Sequence, residues 1–252
     1  MDLGLKKRIV LVTGGSKGIG KEIARAFVEE GAQVAIAARG LSALEETSNA
    51  LGGIPFYQGD LTIKAERERI FQKLIDDFGT IDVLVNNVGG SNGSSVEETD
   101  LEQFEQAMAL NYYSTLHFSK MALEVMKKRQ RGAILNITSI FGRESGGKVS
   151  YNNSKAAVIS FTKALADEAI PYGVRVNGIA PGAILHPTGN WQKRLEADPE
   201  GIKAYVKREI PAGRFGKPEE VANVAVFLAS EKASWVTGAT LQVDGGQSRA
   251  NF

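Results

Sequence analysis

Residues 8–20 read Arg8-Ile9-Val10-Leu11-Val12-Thr13-Gly14-Gly15-Ser16-Lys17-Gly18-Ile19-Gly20, and this stretch decides the fold. Arg8 to Thr13 is a continuous run rich in β-branched residues, as in a strand buried on both faces of a parallel sheet. From Gly18 to Glu30 the apolar residues Ile19, Ile23, Ala26 and Phe27 share one helical face, and Gly31 stops the helix. Between strand and helix, glycines at 14, 18 and 20 permit a tight turn and close backbone approach. The N–H groups at the helix start then face an anion. A glycine-rich turn without a ligand has the same composition; the strand–turn–helix setting is what favours the ligand. No Gly-Lys-Ser/Thr closes the loop, so it is not a Walker loop.

The alternation continues along the whole chain. Strands are expected at Gln33 to Ala38, Ile54 to Gln58, Val83 to Asn86, Ala133 to Ile137, Val174 to Ile179 and Thr240 to Val243. Helical patterns separate them at Leu41 to Leu51, Ile63 to Phe78, Leu101 to Arg129, Tyr151 to Ile170 and Pro218 to Leu228. Strands alternating with helices of this length imply right-handed crossovers and a sheet covered on both faces. The expectation is an α/β fold: a single doubly wound Rossmann domain over residues 1–252, with a parallel seven-stranded sheet. Residues 183–216 break the rhythm after a strand's carboxyl end, where open α/β sheets bind ligands, and read as an irregular substrate lid.

Composition narrows the function. Thirty basic residues oppose 29 acidic ones, a net charge of +1, which gives no nucleic-acid footprint. Zero cysteines exclude disulfides, thiol nucleophiles and thiolate metal sites, and two histidines leave little room for an imidazole-built metal site. Lys6-Lys7-Arg8 precedes only a short apolar run, Ile9 to Val12, too short for a signal peptide. No run approaches the roughly 20 apolar residues that span a bilayer. A cytoplasmic protein without membrane or nucleic-acid partners is expected. Lys127-Lys128-Arg129-Gln130-Arg131 reads as a solvated helix end.

At the end of the second strand, Ala37-Ala38-Arg39 lacks the acid that accepts the ribose 2′-hydroxyl of NAD. Arg39, helped by Lys17, suits a 2′-phosphate instead. NADP(H) is the preferred cofactor, with NAD(H) also possible, although both cations have an ordinary surface reading. Asp60, in Gly59-Asp60-Leu61, either accepts from an adenine amino group or caps the following helix. Asn86-Asn87-Val88-Gly89-Gly90 lets the backbone pass close to a flat ligand.

Tyr151 and Lys155 lie four residues apart at a helix start, stacked about 6 Å apart along the axis. A free tyrosine titrates near about 10, too high for a base at neutral pH. A nearby ammonium and the helix amino terminus both favour the phenolate. Lowering it by about three units takes roughly 4 kcal/mol. The Tyr-x-x-x-Lys spacing alone carries little, because it recurs by chance on many helices. Ser139 follows the fifth strand and Asn111 lies in the helical region before it, so both approach the same sheet edge.

On these residues the chain resembles the short-chain dehydrogenase/reductase family along nearly its whole length. The resemblance rests on Thr13 to Gly20, Asn86-Asn87-Val88-Gly89, Asn111, Ser139, Tyr151-Asn152-Asn153-Ser154-Lys155, Pro181-Gly182 and Val243-Asp244-Gly245-Gly246. It implies that Tyr151 is the general acid that protonates a carbonyl oxygen and that Ser139 hydrogen-bonds that oxygen. Lys155 would hold the nicotinamide ribose and lower the Tyr151 pKa, and Asn111 would anchor a proton-relay water. The implied cofactor set is Gly14, Ser16, Lys17, Gly18, Ile19, Gly20, Arg39, Asp60, Leu61, Asn87, Gly89, Tyr151, Lys155, Pro181, Gly182 and Ile184.

Two positions depart from the family pattern. Val88 replaces the usual alanine, and His186 stands where a threonine often binds the nicotinamide amide, with Thr188 two residues on. His186 reads as a lid residue. Arg143 and Trp191 are expected to contact a small carbonyl or alcohol substrate. Resemblance favours a 3-oxoacyl thioester reductase, with a sugar or polyol dehydrogenase second and a homotetramer as the assembly. A dinucleotide-binding regulator without turnover is the alternative of another class, opposed by the intact Asn111, Ser139, Tyr151 and Lys155.

Overall fold

β1 (Ile9–Thr13) is buried along its whole length because both faces are covered. The computed structural model describes residues 2–251. β1 pairs in parallel with β2 (Gln33–Ala38) on one side and β4 (Val83–Asn86) on the other, so Thr13 lies between Ala37 and Asn86. β3 (Phe56–Gln58), β5 (Gly132–Ile137), β6 (Val174–Pro181) and β7 (Thr240–Val243) complete a seven-stranded parallel sheet ordered β3-β2-β1-β4-β5-β6-β7. The chain runs outward from β1 through β2 and β3, then returns to the far side of β1 at β4. That reversal opens a crevice at the strands' carboxyl ends.

Period-two alternation splits β1 between two cores. Val10 and Val12 pack with Phe27 of α1 (Gly18–Glu29) and Val221 and Ala225 of α9 (Pro218–Ala229). Leu11 packs on the other face with Ile70 of α3 (Lys64–Phe78) and Phe118 of α5 (Ser114–Arg129). At the sheet's amino edge the buried Asp82 carboxylate accepts from the Ile9 N–H at 2.9 Å. Arg8, Arg129 and Arg131 stand 3.5, 3.2 and 3.3 Å from its other oxygen. The basic run is therefore only partly a solvated helix end, because two of its arginines pin α5 and β5 to β4.

Most element boundaries fall within two residues of the expected ones, α2 (Leu41–Ala50) among them. Two segments differ in kind. The helical stretch 101–129 divides into α4 (Leu101–Ala107), a π-helical turn over Met108–Tyr113, and α5. The lid segment is not irregular: it folds into α7 (Asn190–Ala197) and α8 (Pro199–Glu209). Asp198 ends the first and caps the second, accepting from the Gly201 N–H at 2.9 Å, with Pro199 at the first helical position.

Candidate active site

The glycine loop is braced against β4. Asn87 Nδ2 donates to the carbonyls of Thr13 and Gly14 at 3.2 and 3.0 Å. The buried Thr13 hydroxyl accepts from the N–H groups of Asn87 and Val88 at 3.1 and 3.3 Å. A Cβ on Gly20 would stand 2.3 Å from the Gly14 carbonyl and 2.4 Å from Asn87 Nδ2, so only glycine lets α1 begin this close. Gly18, at φ +51°, sits in the left-handed region and under the His186 ring. Lys17 occupies the cap position of α1 without a side-chain cap bond. No hydroxyl or carboxylate then competes for the helix's first N–H groups, which stay available to an anion.

A cleft of about 500 Å³ runs from this loop to Trp191. Of the residues singled out in the sequence, Gly14, Lys17, Gly18, Ile19, Gly20, Asn87, Gly89, Ser139, Tyr151, Lys155, Pro181, Gly182, Ile184 and Trp191 line it. The volume and the Cβ-free cradle suit a dinucleotide whose phosphates meet the start of α1 and whose far end reaches Tyr151.

Other singled-out residues lie outside the cleft. Ser16 turns its carbonyl to the Thr47 hydroxyl at 2.9 Å. Arg39 is exposed just past β2, its carbonyl accepting from Gln58 at 3.1 Å. Asp60 does not cap α3, whose cap position is Ile63; its carboxylate accepts from the backbone and hydroxyl of Thr62 at 2.9 and 2.7 Å. The Thr62 backbone bond foremost, with smaller help from the Thr62 hydroxyl and Arg39, holds Asp60 below the usual carboxylate range. Leu61 is a core residue whose carbonyl accepts from Arg67 at 2.8 Å. Arg143 donates to the Thr240 carbonyl at 2.7 Å and is not among the residues lining the cleft, so it ties the β5–α6 loop to β7.

At the chemical end, Tyr151 and Lys155 project from the first two turns of α6 (Val149–Ala169). Ser139 follows β5 as the cap of a short 3₁₀ turn. The buried Lys155 ammonium donates to the Ile137 carbonyl at 2.7 Å and lies 5.7 Å from the Tyr151 ring centre. Burial brings Lys155 down to about 8. Burial also pushes the Tyr151 phenol up, with the Ser139 hydroxyl opposing that rise. This direction is opposite to the expected lowering, because desolvation outweighs an ammonium turned toward a carbonyl. Asn111 lies behind the wall. Its amide exchanges bonds with the Gly90 N–H and carbonyl at 3.1 and 3.0 Å, and a Cβ on Gly89 would stand 2.7 Å from its oxygen. The π-helical turn places Asn111 there, an irregularity frequent at functional sites.

The lid brings His186 and Trp191, expected from the sequence, to the cleft together with Asn190 and Arg194, which sequence reading missed. His186 lines the cleft against the glycine loop, and burial lowers its pKa. Thr188, exposed, meets His186 Nδ1 at 3.3 Å. Trp191 packs on Tyr205 and Phe215 at 4.8 and 5.2 Å between ring centres. Asn190 and Arg194 also line the cleft, and their spacing around Trp191 on one helix was the available signal.

A glycine-braced crevice that ends at a tyrosine–lysine pair is the arrangement of oxidoreductases that use a nicotinamide dinucleotide. Residues 14–248 match the family model described as Enoyl-(Acyl carrier protein) reductase. A 3-oxoacyl-[acyl-carrier-protein] reductase, FabG, of Thermotoga maritima is 35% identical over 247 residues, spanning 96% of this chain and 98% of its own length. The L-fucose dehydrogenase of Mus musculus is 38% identical over 241 residues, spanning 95% and 88%. The structure of L-sorbose reductase from Gluconobacter frateurii, complexed with NADPH and L-sorbose, superposes with a TM-score of 0.94 at 31% identity, covering 99% of this chain and 100% of that one. The chain belongs to the short-chain dehydrogenase/reductase family and is an NAD(P)-dependent oxidoreductase.

Proposed function

We propose that the protein uses NADP(H) to reduce a ketone to a secondary alcohol, with a 3-oxoacyl thioester as the first substrate to test. The observation that carries this reading is the convergence of Ser139, Tyr151 and Lys155 on one wall of the cleft that begins at the glycine loop. When bound, the nicotinamide supplies the hydride. The phenol of Tyr151, kept protonated by burial, gives its proton to the carbonyl oxygen, and the Ser139 hydroxyl orients that oxygen. Lys155 would hold the ribose hydroxyls of the bound dinucleotide, and Asn111 fixes the Gly89–Gly90 backbone beside it. Arg39 and Lys17 favour a 2′-phosphate, because β2 ends without an acid.

The residues act as one domain, with α7 and α8 as lid. The molecule works as a cytoplasmic homotetramer; the exposed Trp235, Phe227 and Leu241 beside edge strand β7 support assembly. NADPH and NADH oxidation with an acetoacetyl thioester tests the reading, and turnover with NADPH is the expected result. A second reading, a sugar or polyol carbonyl, is favoured by Ser91, Asn190 and His186 in the cleft lining. Silence with the thioester and turnover of a ketose would select it.

A further inference from the structure

The charged side chains lining the cleft are Lys17, Lys148, Lys155 and Arg194, and no carboxylate is among the lining residues. Two of these cations have work in the reading above: Lys17 beside the glycine loop and Lys155 beside Tyr151. Lys148 and Arg194 do not, and both stand at the substrate end. We propose that the carbonyl compound accepted here carries an anionic group, a carboxylate or a phosphate ester, held by Lys148 and Arg194. This rests on the assignment of Tyr151 and Ser139 to the carbonyl oxygen.

Lys148 immediately precedes α6 and is half-buried, three residues before Tyr151. At the cap position its ammonium, a donor only, cannot satisfy the helix's first N–H groups, so both its charge and the positive end of the helix favour an anion there. Arg194 lies with its guanidinium 5.0 Å from the Trp191 ring centre. Trp191 is itself clamped by Tyr205 and Phe215, so the stack holds the guanidinium fork on a fixed platform. Neither cation makes an ion pair or a side-chain hydrogen bond among the described residues.

Nearby acids are occupied. Glu144 accepts from the Ser248 hydroxyl and the Arg249 N–H at 3.1 and 2.9 Å, Glu196 accepts from Gln192, and Asp198 caps α8. Lys148 is half-buried and Arg194 exposed, and a neutral ketose would offer neither cation a charge-assisted partner. A carboxylate or phosphate would meet them with charge-assisted bonds and be drawn into the cleft by its field. The same chemistry has two sources: a carboxylate on the substrate itself, or the phosphates of a thioester carrier.

Kinetics with NADPH on wild type, Lys148→Met and Arg194→Met test the proposal, using four acetoacetyl probes. These are acetoacetate, methyl acetoacetate, acetoacetyl-coenzyme A and the acetoacetyl thioester of N-acetylcysteamine. The expected wild-type kcat/KM favours an anionic probe over its neutral counterpart by at least about 10-fold, with each substitution removing most of that preference. Preference for acetoacetate over its ester places the anion on the substrate. Preference for the coenzyme A thioester over the cysteamine thioester places it on the carrier. Equal use of neutral and anionic probes, with equal losses in both variants, overturns the proposal and leaves the reductase reading intact.

Calorimetric titration of the same probes into enzyme with NADP+ separates the two readings. Binding of the anion that the substitutions weaken, without hydride transfer, keeps the proposal and discards the reading. Neither binding nor turnover discards both.

Discussion

The Lys155 ammonium donates to the Ile137 carbonyl at 2.7 Å, so a buried cation on α6 is tied to the last residue of β5. It lies 5.7 Å from the Tyr151 ring centre, and burial, opposed by the Ser139 hydroxyl, is what moves the phenol. Burial therefore sets both groups, moving the lysine down and the tyrosine up. A phenol protonated at neutral pH carries the proton that a carbonyl oxygen would receive. Tyr151→Phe keeps the ring and removes the proton. It should lower kcat by about 100- to 10,000-fold and leave the NADP+ dissociation constant within about twofold. Fluorescence titration beside steady-state rates checks both, and undiminished turnover would end the general-acid assignment.

Lys155 carries its charge below about pH 8. If the ammonium holds the ribose hydroxyls, NADP+ affinity should decline as pH rises through about 8, and Lys155→Met should remove that decline. Folding stability runs the other way. The unfolded lysine keeps its proton to about pH 10.4, whereas the folded one loses it near about 8, so stability rises with pH between them. Binding isotherms and thermal midpoints from pH 7 to 10 measure the two slopes. A pH-independent affinity would detach Lys155 from the cofactor.

Arg39 stands exposed at the end of β2, and Asp60 feels its charge. Arg39→Asp inverts the charge where a 2′-phosphate would sit and supplies the acid that a 2′-hydroxyl prefers. The ratio of kcat/KM for NADPH to that for NADH should fall by about 100-fold or more, from the loss of a charge-assisted contact plus new repulsion. An unchanged ratio would make Arg39 a surface cation.

How far the sequence reveals this molecule follows from which interactions are local. β1, the glycine loop and α1 were legible because a two-faced buried strand needs a continuous apolar run and the turn needs glycine. Helical spacing puts Tyr151 and Lys155 on one face but recurs by chance, so the pair stands out only through the resemblance carried by the other motifs in order along the chain. The π-helical turn at Met108–Tyr113 leaves no mark on a 3.6-residue period, so 101–129 reads as plain helix. α7 and α8 were hidden by their polarity, although Asp198-Pro199 is a cap followed by a first-turn proline. The burial that raises the Tyr151 pKa is not visible in spacing, which reports neighbours along the helix only. The bond from Arg143 to Thr240 leaves no local mark, because its partner lies 97 residues away.

That long-range bond gives Arg143→Met a distinctive signature. The guanidinium donates to the Thr240 carbonyl, while its buried Nε has no hydrogen-bond partner among the described residues. Removing it should cost about 1–3 kcal/mol of stability, from the orphaned Thr240 carbonyl at the start of β7. The Michaelis constant for the ketone should stay within about twofold. Chemical denaturation gives the first number and initial rates the second. A large rise in the Michaelis constant at unchanged stability would return Arg143 to the substrate site.

Trp235 is 98% exposed, an extreme for so large an apolar side chain, and β7 beside it has a neighbour, β6, on one side only. Phe227 of α9 and Leu241 of β7 are exposed in the same neighbouring elements. Exposed apolar side chains and an open strand edge are a hazard for a monomer, and a second copy of the same chain would cover them by symmetry. Trp235→Glu places a charge where that contact would form. Loss of a buried tryptophan anchor costs about 2–4 kcal/mol per contact, enough to shift a micromolar sample from tetramer toward smaller species. Sedimentation velocity on both proteins decides the matter. A wild-type monomer at micromolar concentration would refute the tetramer, and a tetramer indifferent to Trp235→Glu would move the interface to another face.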